Sequence, residues 1–151
     1  MRLKVGDQAP EVALIDQYGK QRRSRDLRGK ALVLFFYPKD ETPGCTAEAC
    51  AFRDAYGDFT RLGAEVWGVS EDNRESHSRF AERYNLPFPL LCDKNNYLRQ
   101  VFGVPKTLGI VPGRVTYVIN KQGKICLVFN NLLDGPAHVE QAKQMLETLN
   151  K

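Results

Sequence analysis

The chain has 151 residues, 42% of them hydrophobic and 26% charged, and a formal net charge of +4. This is the make-up of an ordinary globular protein, large enough for a real core and most simply one domain over residues 1–151. No apolar core follows the early charges of Met1-Arg2-Leu3-Lys4, which argues against a secretory leader, and no apolar run approaches the length of a membrane span. The expected location is therefore cytoplasmic, or organellar in a mature form that lacks its targeting segment.

Val12 to Ile15, the turn at Tyr18-Gly19 and a basic return predict an N-terminal hairpin. Much of the basic character lies between Lys20 and Lys30. Positive charge there could meet an anion, a nucleic acid or a docking partner, but no aromatic residue interleaves it, and the segment reads as a solvated connection. No nucleic-acid or membrane partner is expected. Ala31 to Tyr37 is unbroken and apolar, the pattern of a buried strand. It runs into Pro38-Lys39-Asp40-Glu41-Thr42-Pro43-Gly44-Cys45. Thr42 suits an N-cap and Pro43 the first helical position. That spacing places Cys45 in the first turn of a helix, where unpaired N–H groups and the helix dipole favour an anion.

The helix continues with Ala49, Phe52, Tyr56 and Phe59 on one face and closes at Gly63. Ala64 to Ser70 predicts a second central strand. Asp72 and Glu75 form a capping box for a helix carrying Phe80, Ala81 and Tyr84. Pro87 and Pro89 introduce a short strand at Leu90-Leu91, and Asn96 to Phe102 a short helical segment. Val115 to Asn120 and Lys124 to Asn130 read as strands joined by the turn Lys121-Gln122-Gly123. Val139, Ala142, Leu146 and Leu149 lie at helical spacing in a last helix. Hairpin, then β-α-β-α-β, then β-β-α predicts an α/β fold, a mixed sheet with helices on both faces.

Cys45 is the candidate nucleophile, placed by Thr-Pro-Gly at a strand-to-helix junction rather than in a core strand. A free thiol with a pKa near 8.5 is only ~3% thiolate at pH 7; lowering the pKa to about 6 gains roughly 30-fold in thiolate. Nucleophilicity falls along with pKa, so the net gain is smaller. Any large acceleration must come from groups that stabilise charge on the attacked atom, which calls for a cation.

The signature P-x-x-x-T-x-x-C after an apolar strand, within Tyr37-Pro38 through Asp54, resembles the active-site segment of the peroxiredoxins. Its longer form resembles the peroxiredoxin Q or bacterioferritin co-migratory protein subgroup. The likeness runs on through Gly113-Arg114-Val115-Thr116 to the C-terminal helix. The resemblance implies a thioredoxin-like core with an N-terminal extension, and a peroxidatic cysteine at Cys45. It implies a resolving cysteine at Cys50, giving a Cys45–Cys50 disulfide. Five residues on a helix separate two Cα atoms by roughly 8–9 Å, and a disulfide rarely tolerates more than ~7 Å. If both cysteines lie on one intact helix, the bond requires that helix to unwind at its start.

The resemblance also makes Arg114 the cation, at the opening of a strand from which it could reach an adjacent strand end, where its fixed charge would hold the thiolate and polarise a peroxide oxygen. The Thr42 hydroxyl could cap the helix and also donate to thiolate or peroxide. Pro38 would shape the loop and limit water. Glu48, one turn after Cys45, would oppose a thiolate unless an arginine pairs with it; Asp40 and Glu41 pull the same way, against Lys39. Cys92 and Cys126 read as core thiols, with a secondary disulfide role left open for Cys92. His77 shares a helix face with Phe80 and Tyr84, and His138 falls near a helix start; neither has a partner at ligand spacing, and no metal is expected.

The resulting expectation is a thiol peroxidase acting on hydrogen peroxide and organic hydroperoxides. Its disulfide is reduced by thioredoxin or a similar dithiol, with no flavin, haem or metal, and the monomer is the expected state. The alternatives are a general thiol–disulfide oxidoreductase, whose Cys-x-x-Cys is absent, and a non-enzymatic basic binding or chaperone module.

Overall fold

In a computed structural model of the protein, the structure describes residues 2–27, 29–106 and 112–151; Arg28 of the basic return lies outside them. Strands Ala13–Ile15 (β1) and Gln21–Arg23 (β2) form the expected antiparallel hairpin, with Ala13 opposite Arg23. The main chain then runs Ala31–Phe36 (β3), Pro43–Asp54 (α1), Tyr56–Arg61 (α2), Ala64–Ser70 (β4), Arg74–Tyr84 (α3) and Leu90–Cys92 (β5). It continues through Tyr97–Phe102 (α4), Val115–Ile119 (β6), Ile125–Asn130 (β7) and Gly135–Leu149 (α5).

The five longer-range strands lie in the order β5-β4-β3-β6-β7. β3 pairs parallel with β4, β4 parallel with β5, and β6 antiparallel with both β3 and β7. This is the mixed sheet that the resemblance to a thioredoxin-like core implies. β3 is central and buried at every position, which is why it carries no polar residue. Its side chains alternate between two cores. Val33 and Phe35, with Tyr37 beyond them, face Phe52, Phe59, Phe80 and Leu146 from α1, α2, α3 and α5. Leu32, Leu34 and Phe36 face Val12, Trp67, Leu98, Phe102 and Tyr117 on the other side. The C-terminal end of β3 therefore emerges from two packed layers into the loop that leads to Cys45, and the start of β6 lies beside it, with Phe36 opposite Val115.

Two local expectations are corrected. The helix after Cys45 does not run unbroken to Gly63: Ala55 leaves helical geometry (φ −96°, ψ 2°) and divides it into α1 and α2. The break lets Phe52 and Phe59 both reach the core, with ring centroids 5.8 Å apart. The cap of α3 is Asn73, whose side chain accepts from the Ser76 N–H at 2.9 Å, rather than Asp72. Asp72 is committed elsewhere, its Oδ2 accepting from the Ser70 hydroxyl and the Asp40 N–H. In the basic return, Arg22 pairs with Asp16, Arg25 with Glu11 and Lys30 with Glu65. Among the described residues, no helix is long and apolar enough to cross a membrane.

Candidate active site

Cys45 occupies the first turn of α1 and is only 1% exposed, within the cluster that holds Tyr37, Ala49 and Phe52. Thr42 precedes Pro43 in extended geometry (φ −80°, ψ 152°), but its side chain does not cap the helix. The hydroxyl instead donates to the Lys39 carbonyl at 2.8 Å, tightening the loop. The expected side-chain cap is thus corrected, and the correction leaves the opening N–H groups of α1 without a competing acceptor from Thr42. That is the arrangement an anion needs at a helix start. Just before it, Glu41 sits in the left-handed region (φ 61°) and its carboxylate accepts from Arg83 at 2.9 Å. Pro38 is half-buried at the head of the same loop.

Arg114 is 4% exposed and reaches this turn from the start of β6. Its Nε donates to the Leu132 carbonyl and its Nη1 to Glu48 Oε1, both at 2.8 Å. Its Nη2 lies 2.9 Å from where a β-carbon on Gly44 would sit, so the glycine leaves room for the guanidinium against the turn that bears Cys45. Burial works against the Arg114 charge, but Glu48 and a Cys45 thiolate both favour it, the latter also through a side-chain hydrogen bond, and its pKa is raised. Glu48, whose partner the sequence left open, is therefore answered by Arg114.

Glu48 is 0% exposed, and α5 presses directly on it: a β-carbon on Gly135 would stand 2.7 Å from Glu48 Cβ. Burial pushes its carboxyl up to about 8, with Arg114 drawing it back only in part. Among the described residues Oε2 has no hydrogen-bond partner, and its neighbour is His138 Nδ1 at 3.6 Å. The imidazole Nε2 faces the Asn131 carbonyl at 2.7 Å and must donate there, so Nδ1 accepts from the Thr116 hydroxyl at 2.8 Å. Burial lowers His138 to about 4, so the ring is neutral and gives Glu48 no counter-charge.

On the other side of the loop, Asp40 is 6% exposed and fully engaged. Tyr37 donates to its Oδ1 at 2.6 Å and Ser76 to its Oδ2 at 2.8 Å, with His77 Nδ1 2.7 Å from the same Oδ2. His77 Nε2 faces the Leu91 carbonyl at 2.9 Å. That nitrogen donates to the carbonyl, which holds the ring with Nδ1 against Oδ2. Asp40, Asp72 and His77 bring ligand-type atoms within 4.8 Å of one another. Each is held by hydrogen bonds to hydroxyl or backbone groups, and together they act as a lock on the loop.

Cys50 lies half-buried on the same intact α1 as Cys45, and both thiols are free. Cys92, at the end of β5, is half-buried as well; burial, then Asp40, pushes its thiol up to about 11. Cys126 contacts the Lys124 carbonyl at 3.6 Å. The structure thus gathers Cys45, Arg114, Glu48, Thr42 and Pro38 at one end of the sheet. Nothing in the local sequence pattern marks Tyr37 or the hydrogen-bonding role of His77 as part of the site. A signal existed for Arg99, which shares the buried face of α4 with Leu98 and Phe102.

The AhpC/TSA family pattern matches residues 5–128. A chloroplastic peroxiredoxin Q from Sedum lineare is 47% identical over 149 residues, covering 98% of this chain and 80% of the relative. The crystal structure of peroxidoxin BcpB from Mycobacterium tuberculosis aligns with a TM-score of 0.89 at 36% identity, over 98% of this chain and 99% of that one. A Xanthomonas campestris bacterioferritin comigratory protein, studied for alkyl peroxide reduction, aligns with a TM-score of 0.85 at 29% identity, over 93% and 92%.

Proposed function

From the premise that the chain belongs to the AhpC/TSA family and is a thiol-dependent peroxidase of thioredoxin-like fold, we propose that Cys45 meets the peroxide and Cys50 resolves the product. A peroxide and a dithiol reductant are its two substrates. The Cys45 thiolate attacks one peroxide oxygen in line. An S–O bond forms, the O–O bond breaks, the sulfur is oxidised to sulfenic acid, and the other oxygen leaves with its electron pair to become water or an alcohol on protonation. The observation that carries this assignment is the buried Arg114 guanidinium, fixed by Glu48 and Leu132 against the Cys45 turn. A charge so held is positioned before the reaction, which is where electrostatic stabilisation is strongest. The uncapped N–H groups of α1 add donors on the same side, and Thr42 and Pro38 close the loop around them.

Cys50 then attacks the sulfenic sulfur, an S–S bond forms and water leaves. With both residues on one helix, this step requires the first turns of α1 to unwind. The break at Ala55 supports such a motion, since it leaves α1 a short unit that can open without disturbing α2. Thioredoxin or a similar dithiol then reduces the bond by exchange. Hydrogen peroxide and organic hydroperoxides are both suited to the site, and the protein acts as a monomer in the cytoplasm or in an organelle. The chloroplastic names of the plant relatives fit the organellar alternative.

Peroxide turnover coupled to a thioredoxin system tests the assignment. Cys45→Ser is expected to abolish turnover, and Cys50→Ser to stop cycling while Cys45 still takes up one oxygen. Turnover retained in Cys45→Ser removes the central role, and a Cys45–Cys92 bridge in oxidised protein transfers the resolving role to Cys92.

A further inference from the structure

Arg99 is a buried arginine, 5% exposed, that the steps above do not use. No carboxylate among the described residues forms an ion pair with it. Its partners are two main-chain carbonyls. Nη1 donates to Gly113 at 2.7 Å and Nη2 to Tyr37 at 2.9 Å. Each of those carbonyls belongs to the peptide that immediately precedes a site residue, Arg114 in one case and Pro38 in the other. The sheet cannot make this connection itself: the β3–β6 register ends at Phe36 opposite Val115, and Pro38 has no N–H to extend it.

We propose that Arg99 is a positioning residue of the peroxidase site, clamping the Tyr37–Pro38 and Gly113–Arg114 peptides together and lending a second buried positive charge to Cys45. The clamp follows from geometry. A planar guanidinium presents rigid, divergent donors and can span two carbonyls, whereas an ammonium is a point charge on a flexible stem. The charge follows from the pairing. The guanidinium meets no carboxylate in ion-pair contact among the described residues; the buried Asp93 carboxylate, which accepts from the Arg99 backbone N–H at 3.0 Å, offsets part of its field, while stacking on Phe36 at 5.7 Å holds it in apolar surroundings where charges are felt strongly. Burial works to lower the Arg99 pKa, while Asp93 and then a Cys45 thiolate oppose that. Arg114 and Arg99 thus divide the work: one contacts the reacting turn, and the other sets where the first one starts.

This role rests on Cys45 being the peroxidatic sulfur. The test uses Arg99→Met and Arg99→Lys in a chain whose other three cysteines are serine. Thiolate absorbance is followed against pH, and Cys45 oxidation by hydrogen peroxide in stopped flow. Arg99→Met is expected to move the thiolate profile up by about one pH unit and to slow oxidation roughly tenfold or more at pH 7. Arg99→Lys is expected to keep the profile but oxidise several-fold more slowly, because one ammonium cannot hold both carbonyls. A folded Arg99→Met protein with the parent's profile and rate overturns the proposal. So does a fall in melting temperature alone, which a merely structural arginine would give. If Arg99→Met does not fold, Arg99→Lys decides, and a parental oxidation rate in that variant overturns the clamp. If the parent itself takes no oxygen on Cys45, it is the assignment of the sulfur that fails.

Discussion

Two buried acid–histidine pairs flank the turn that carries Cys45, and they are built to opposite ends. On the loop side, Asp40 and His77 meet at 2.7 Å, and Tyr37, Ser76 and the Leu91 carbonyl complete their hydrogen bonds. On the helix side, Glu48 and His138 stand 3.6 Å apart, and Glu48 Oε2 has no hydrogen-bond partner among the described residues. The residue types match, but the histidine of the second pair is committed to Asn131 and Thr116 and is neutral. The carboxyl of Glu48 is left to answer Arg114 alone. A satisfied network stabilises a loop, whereas an under-satisfied one keeps a cation fixed without neutralising it fully. The first pair holds the site in shape, and the second keeps its charge available.

The largest expected effect lies on the charge side. Arg114→Ala is expected to slow oxidation of Cys45 by on the order of 100- to 1,000-fold while changing reduction of the disulfide much less. Stopped-flow measurement of both half-reactions checks this, and equal slowing of the two would show that Arg114 serves only the fold. Stability should separate the two pairs next. Asp40→Ala strands Tyr37, Ser76 and His77 in the interior and is expected to cost about 2–4 kcal/mol. Glu48→Gln keeps an acceptor for Arg114 and sets an amide NH2 where an oxygen already lacked a partner among the described residues, so it is expected to cost under about 1 kcal/mol. Urea denaturation of both proteins would break the comparison if the two costs came out equal.

The last comparison is in the pH dependence, and its sign is fixed. Glu48 is raised from 4.5 to about 8, so the folded protein holds a proton there that the unfolded chain releases, and stability falls as pH rises across that window. His138 is lowered from 6.5 to about 4, so the unfolded chain binds the extra proton and stability rises over that range. The two oppose each other up to about 6.5. Between there and pH 8 the Glu48 contribution stands alone, and Glu48→Gln is expected to remove a fall in stability that the wild type shows. Urea midpoints at the two ends of that range report it; a wild type that gains stability relative to the variant would reverse the assignment of the buried proton.

Much of this architecture was legible from the chain. The apolar run from Ala31, the Thr-Pro-Gly approach to Cys45 and the Gly123 hairpin each carry a local pattern, and local patterns survive folding. Contacts across the sequence left no such trace. Arg114 and Glu48 are 66 residues apart, and His77 and Asp40 are 37 apart. Only the packing of α3 against the loop before α1, and of α1 against the start of β6, brings such partners together. The break at Ala55 and the diversion of Asp72 from its expected cap are the same effect seen locally, tertiary partners outbidding a helical pattern. Arg99 marks the boundary between the two cases, because its place on the buried face of α4 could be seen while its two carbonyls could not.

The central claim is that the sulfur in the first turn of α1 is the one that peroxide oxidises. Treating Cys50→Ser protein with one equivalent of hydrogen peroxide, trapping sulfenic acid and locating the adduct by mass spectrometry tests it directly. The adduct is expected on Cys45; an adduct on Cys92 or Cys126 with Cys45 unmodified would contradict that role.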